Sequence, residues 1–108
     1  MRFRSSVELV VRADDVGRLN RFIQSHARSE HVFVGFGHAS VIRGERIGAM
    51  QRVRVLIDAI GAGNADDPFV EDSELQEASQ AALETVTYAV IRTGGDGDDV
   101  NVETERVE

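Results

Sequence analysis

Three histidines are the side chains of this sequence best suited to bind a metal or to transfer a proton near neutral pH. They are His26, His31 and His38, so successive histidines lie five and seven residues apart. Metal-binding pairs are usually two residues apart on a strand and three or four apart on a helix. A histidine base also needs a nucleophile or a carboxylate held beside it, and no pattern in the sequence supplies one. We therefore predict no catalytic residue, no metal site and no cofactor.

Charge is distributed very unequally along the 108 residues. Residues 1–54 contain ten arginines and five acids, residues 55–108 contain two arginines and fourteen acids, and the net charge is −7. A chain of this kind can cover its basic segments with its acidic ones, or it can dock onto copies of itself or onto another protein. We expect a homo-oligomer, with a different protein partner as the alternative, and the net negative charge disfavours nucleic acid.

Composition excludes several other classes of protein. The chain has no cysteine, which excludes disulfides, thiolate catalysis and zinc–thiolate sites. No stretch is apolar over the roughly 20 residues that a membrane span requires, and residues 1–12 do not form the apolar block of a signal peptide. The expected location is therefore the cytoplasm or a virion, with no membrane association.

The first segment alternates with a period of two, which is typical of a half-buried strand. Phe3, Val7, Leu9 and Val11 fall on one face of this strand. The polar side chains fall on the other face: Arg2, Arg4, Ser6, Glu8 and Arg12. Helical spacing then predicts a helix over residues 15–28, with Asp14 and Asp15 at its positive end.

The remaining elements follow from the same patterns. Residues 31–36 read as a second strand that either stops there or continues through residues 40–42, residues 43–45 as a turn, and residues 47–60 as a third strand. A second helix is predicted to open at Asp72 or Ser73 with a capping box and to reach Arg92, with Gly94 behind it. The alternative makes residues 85–91 a strand. Residues 99–107 are either an edge strand or a solvated tail.

The resulting order of strand, helix, strand, strand, helix, strand predicts an α+β fold of the ferredoxin-like βαββαβ type. This fold is an antiparallel sheet with two helices on one face, in which the first and third strands are central and the fourth pairs with the first. We expect one domain over residues 1–93, followed by an acidic segment over residues 94–108. Arg2, Arg4 and Arg12 would then lie beside Glu103 and Glu105 of the last strand.

The turn between the first strand and the first helix has the pattern Asp-x-x-Gly-x-Leu, in the residues Asp14-Asp15-Val16-Gly17-Arg18-Leu19. At this position of such a fold, the turn resembles that of the ACT domains, small regulatory modules that bind amino acids and similar ligands. The resemblance implies that Gly17 lets a ligand approach the backbone beside Asp14 and Asp15. The other reading is that Gly17 relieves close packing of the helix on the sheet. Val16 departs from the family, in which proline is common at this place.

The face of the sheet turned away from the helices is the second candidate site. If residues 32, 34 and 36 point to the core, His31 and Phe33 share this outer face with Arg4, Arg12, Arg52 and Arg54. Arginines beside aromatic rings resemble the surface on which RNA-recognition motifs stack bases. However, residues 53–57 of the third strand contain no aromatic side chain, so burial in a protein–protein contact is the preferred interpretation.

These observations lead to one leading hypothesis and two alternatives. The leading hypothesis is a non-enzymatic, oligomer-forming binding or regulatory module that acts through its sheet face and the Asp14–Gly17 turn. The first alternative is a structural ring component of a virion, such as a head–tail neck or tail-end protein. The second is an RNA-binding module.

Overall fold

A computed structural model describes residues 1–27, 34–63, 66–95 and 100–108. Within these residues the chain forms four strands and two helices, with a 3₁₀ turn at Ala13–Asp15. In chain order the elements are β1 (Arg2–Arg12), α1 (Val16–Ala27), β2 (Val34–Ile47), β3 (Met50–Gly61), α2 (Pro68–Arg92) and β4 (Glu103–Arg106). The predicted α+β class is therefore confirmed.

The strands form one antiparallel sheet in the order β2-β3-β1-β4. β1 and β3 occupy the centre and pair along their whole length, from Arg2 opposite Ile60 to Arg12 opposite Met50. β4 is short and pairs with residues 3–6 of β1. The two outer strands are thus the long β2 and the short β4.

The core lies between the sheet and the two helices. Most apolar odd-numbered side chains of β1 and β3, among them Val7 and Val55, are buried in one cluster with Leu19 and Ile23 of α1 and Val86 of α2. Phe3 and Ala59 form a second, smaller cluster with Ala78 of α2. More buried and more exposed residues alternate along β1 and β3 because only one face of the sheet is covered. Both helices therefore pack on the odd-numbered face.

The hairpin between β2 and β3 turns later than predicted. The predicted turn at residues 43–45 and the start of the third strand at residue 47 are wrong, because Ile47 pairs with Met50 across a two-residue loop. Gly48 has a φ of 60°, a value that glycine adopts without steric cost and that suits the first position of a tight hairpin loop. Residues 43–46 instead contain a bulge within β2.

α2 begins earlier than predicted and continues through the ambiguous segment. The predicted start at Asp72 or Ser73 is wrong, since Asp67 caps the helix by accepting a hydrogen bond from the Phe69 N–H at 2.9 Å, and Pro68 is the first helical residue. The alternative strand over residues 85–91 is also wrong, because α2 runs through them to Arg92. Thr85, Val86, Ala89 and Val90 are buried at helical spacing.

β4 places its two acids near one end of β1. Glu105 lies opposite Arg4 and Glu103 opposite Ser6. Arg12 is at the other end of β1, opposite Met50. The expectation that Arg12 lies beside the acids of the last strand is therefore wrong, because β4 is only four residues long.

Candidate functional site

The even-numbered side chains of β1 and β3 form the surface that we call the open face, which is turned away from both helices. Its members on the two central strands are Arg2, Arg4, Ser6, Glu8, Val10, Arg12, Met50, Arg52, Arg54, Leu56, Asp58 and Ile60. The period-two alternation of two neighbouring strands in register produces this surface. The four arginines predicted from the sequence, Arg4, Arg12, Arg52 and Arg54, therefore share one face.

Two of these arginines are held in ion pairs across the central strands. Arg54 pairs with Glu8 directly opposite, and their side chains are 55% and 57% exposed. The hydrogen bond and charge of Arg54 hold the pKa of Glu8 below its usual range, and the charge of Arg52 adds to this effect. Glu8 therefore stays ionised on the open face at neutral pH.

The second pair is more enclosed. Arg4 Nε donates a hydrogen bond of 3.0 Å to Asp58 Oδ1, and Arg2 lies 3.8 Å from the other carboxylate oxygen. The Asp58 side chain is only 15% exposed, because it lies between the two arginines. The hydrogen bond and charge of Asp58 raise the pKa of Arg4, with a smaller contribution from Glu105.

The end of the open face near the β2–β3 hairpin is apolar and basic. Val10 lies opposite Arg52, and Met50 lies opposite Arg12. Exposed apolar side chains on this end are Val10, Ile42, Ile47 and Met50. Within the described residues, neither Arg12 nor Arg52 forms an ion pair. This end can therefore contact apolar surface and acidic groups together.

A shallow depression of about 510 Å³ lies on the open face beside β4. Its lining includes Arg4, Arg54 and Leu56 from the central strands and Glu103 and Glu105 from β4. Because both signs of charge are present, the depression matches a mixed polar surface better than a polyanion.

Asp58 is a residue of this face that sequence reasoning missed. The period-two spacing that places Arg52 and Arg54 outward continues to Asp58, so the pattern contained the signal. Its partner Arg4 could not be named without the register of β1 against β3, which the sequence does not give.

The structure places the Asp14–Gly17 turn outside this face. Asp14 and Asp15 lie in the 3₁₀ turn after β1, and Asp15 is 3.6 Å from Arg18. A Cβ added to Gly17 would meet no described atom within 4 Å. The reading that Gly17 relieves packing on the sheet is therefore wrong, because the residue is exposed.

Gly17→Ala should raise the free energy of unfolding by about 0.5–1 kcal/mol, because glycine is less favourable than alanine in a helix by about that amount. The measurement is denaturant unfolding of both proteins. A matched control is Gly48→Ala, which should lower the stability by about 1–2 kcal/mol because its φ is 60°. A loss of stability in the Gly17 variant would contradict an open helical position.

Not all of the histidines lie within the described residues. His31 and Phe33 lie outside the described residues, so the predicted aromatic part of the open face stays a prediction. His26 lies between the helices, where its Nδ1 is 2.8 Å from the Thr85 hydroxyl, which itself donates to the Ala81 carbonyl oxygen. The only hydroxyl proton of Thr85 is used in the bond to Ala81, so Nδ1 of His26 is the donor in the hydrogen bond to the Thr85 oxygen.

Two kinds of feature are absent from the described part of the chain. No group of three or more His, Cys, Asp or Glu side chains is arranged to hold a metal ion among these residues. No helix within residues 1–27, 34–63, 66–95 and 100–108 is long and apolar enough to cross a membrane.

Comparison with protein-family models and with curated protein sequences finds no match to this chain. Among solved structures, the chain is similar to part of aminopeptidase PepT from Bacillus cereus ATCC 10987, with a TM-score of 0.40 and 14% sequence identity. The similarity covers 96% of this chain and 28% of that one. Since the chain spans only that fraction of the aminopeptidase, the similarity carries no statement about activity.

Proposed function

We propose that this protein is a non-enzymatic binding module that forms oligomers through the open face of its sheet. One observation carries the proposal: both helices pack on one face of the sheet, and the other face exposes apolar side chains among charged ones. Val10 is 48% exposed and Ile42 is 47% exposed. Clustered apolar surface of this kind marks interaction sites on soluble proteins.

The fold supports the same proposal at a finer level. A sheet with β1 and β3 central and β4 beside β1 supports a ferredoxin-like arrangement, and the resemblance to ACT domains rests on the Asp14–Gly17 turn. The open space at Gly17 supports a second, small-ligand contact there. A regulatory role of the ACT type is therefore part of the proposal.

The ion pairs of two of the four arginines disfavour the RNA-binding alternative. Arg4 and Arg54 are engaged by Asp58 and Glu8, so a phosphate would have to displace a carboxylate from each. Tight binding of single-stranded RNA in fluorescence anisotropy would overturn the proposal in favour of that alternative. A ring of five, six or twelve copies in solution would favour the virion component instead.

Replacing both Val10 and Ile42 with serine should weaken self-association at least about tenfold. Each half-exposed apolar side chain contributes on the order of 1 kcal/mol when an interface buries it, and about 1.4 kcal/mol corresponds to a factor of ten. The measurement is sedimentation equilibrium over a concentration series of the whole protein.

The matched control replaces Phe69 and Ile91 with serine. These residues are 83% and 58% exposed on α2, so the control removes apolar surface outside the open face. Association should be unchanged in this variant. A wild-type protein that stays monomeric at every concentration up to about 1 mM would overturn the proposed function.

A further inference from the structure

The charges at the centre of the open face alternate in sign along both strands. On β1, Arg4 is positive and Glu8 is negative, while the residues opposite them on β3 have the reverse signs, Asp58 and Arg54. Ser6 and Leu56 lie between the two pairs. Each of these four side chains therefore has an oppositely charged side chain opposite it on the neighbouring strand. It has another on its own strand, beyond the intervening Ser6–Leu56 pair.

This arrangement is complementary to itself under a two-fold axis. Consider an axis in the plane of contact that runs parallel to the strands, midway between β1 and β3. Rotation by 180° about this axis places β1 of one copy over β3 of the other. Residues that are opposite each other in the β1–β3 register of one copy then face each other between the two copies. Glu8 then faces Arg54 of the second copy, and Arg4 faces Asp58 of the second copy.

The outer strands match under the same rotation. β4 lies over β2 because they are at equal distances from the axis in the order β2-β3-β1-β4. Glu105 is level with Arg4, and the exposed His38 is level with Asp58, so Glu105 faces His38 of the second copy. A two-fold axis perpendicular to the strands would also match the central charges, but it would place Glu103 against its own counterpart. The axis parallel to the strands is therefore favoured.

The size of the face fits a second copy. Eleven residues of β1 at about 3.4 Å each and three strand spacings of about 4.8 Å give a surface of about 37 by 14 Å between backbones. Side chains widen this surface on every side. Its accessible area is thus comparable with the roughly 800 Å² that each partner buries in a standard interface.

Sheets that pack face to face cross at about 30°, and the central charges tolerate this angle. The Glu8–Arg54 and Arg4–Asp58 pairs are each two residues from the Ser6–Leu56 pair, or about 6.8 Å along the strands. If the Ser6–Leu56 pair is the crossing point, the rotation displaces them by only about 3.4 Å, which long side chains can span.

We propose that two copies of this chain associate through the open face about a two-fold axis parallel to the strands, between β1 and β3. The partner is a second copy, so the inference rests on the proposed function and adds its partner and geometry. Apolar side chains supply the contact area, and the alternating charges fix the alignment.

The test uses two charge-reversal variants, Glu8→Arg and Arg54→Glu. Each variant alone places like charges against each other in the dimer, so its dissociation constant should rise at least about tenfold. In an equimolar mixture, the new arginine at position 8 faces the new glutamate at position 54, and Arg54 faces Glu8. The mixture should therefore form a heterodimer of near wild-type affinity, which native mass spectrometry distinguishes by mass.

Two controls keep the result specific. Glu84→Arg and Arg21→Glu reverse the same charges on exposed positions of the helices and should leave association unchanged. Thermal melting should show that the Glu8→Arg and Arg54→Glu variants are folded, because an ion pair whose two side chains are both exposed to solvent contributes little to stability. The double variant Glu8→Arg/Arg54→Glu should associate with itself again.

The possible results of these experiments distinguish the axis of the dimer from the proposed function. Dissociated variants that do not recombine in the mixture would overturn the parallel axis while leaving the proposed function intact. Variants that remain as dimeric as the wild type would overturn the open face as the interface and with it the proposed function, and a monomeric wild type would overturn the proposed function as well.

Discussion

Leu19→Ala should lower the free energy of unfolding by about 2–5 kcal/mol. Leu19 is 0% exposed and lies in the main core cluster with Val7 and Val55 of the sheet and Val86 of α2. Truncation removes buried methyl groups and leaves a cavity that a small core cannot refill. Urea unfolding followed by circular dichroism measures the loss.

The control for this prediction is Ile91→Ala on the exposed side of α2. Ile91 is 58% exposed, so its truncation should change stability by less than about 0.5 kcal/mol. A Leu19 variant that is as stable as this control would mean that α1 does not pack on the odd-numbered face of the sheet.

Gly61→Ala should lower the free energy of unfolding by about 1–3 kcal/mol, because it overpacks a buried site. Glu74 of α2 is 4% exposed and inserts its carboxyl group beside Gly61, at the end of β3. Its Oε1 accepts a hydrogen bond of 2.6 Å from the Gly63 N–H. A methyl group at position 61 would overlap Oε2 of Glu74, so the carboxyl group must move and lose that bond. The measurement is again urea unfolding.

A double-mutant cycle isolates this cause. Glu74→Ala removes the group that the new methyl meets, so the combined variant should lose at least about 1 kcal/mol less than the sum of the two single losses. Oε2 of Glu74 has no hydrogen-bond partner among the described residues, so the carboxyl group is not strongly held on that side. Strictly additive losses would show that the two residues do not compete for one space.

The strands and the buried faces were predictable where periodicity is strong. Phe3, Val7 and Val11 alternate with charged residues because β1 has one covered face, and Val53, Val55 and Ile57 behave in the same way on β3. Such a pattern reports burial directly, and it also identified the arginines of the open face. This period-two pattern depends only on residues that are close together in the sequence.

The hairpin was mispredicted because Gly44 and Gly48 both lie in segments that could form the turn. Gly44 lies in a run that reads as a turn, yet its place in β2 allows close approach to Arg52, whose carbonyl oxygen would lie 3.3 Å from an added Cβ. Gln51 is buried and donates a hydrogen bond of 2.6 Å to the Gly44 carbonyl. These contacts across the hairpin decide which glycine forms the turn, and turn propensity alone does not contain them.

The start of α2 was missed although the sequence contained a signal for it. Asp67 followed by Pro68 is a favourable helix opening, but the capping box at Asp72 or Ser73 was preferred. The Arg4–Asp58 pair is a different case, since naming it requires the pairing of residues 54 apart in sequence. Sequence reasoning could therefore supply the face of the sheet but not its ion pairs.

The outer edge of β2 has a consequence for aggregation. β2 is 14 residues long and, among the described residues, pairs with a strand on one side only, which makes its other side a template for an incoming strand. Register shifts between Phe36 and His38 and between Arg43 and Arg46 interrupt it, so its longest regular segment is only the six residues from His38 to Arg43. An edge can recruit strand after strand into a fibre, whereas contact through a two-fold face stops at two copies. The bulges thus disfavour open-ended growth along this edge.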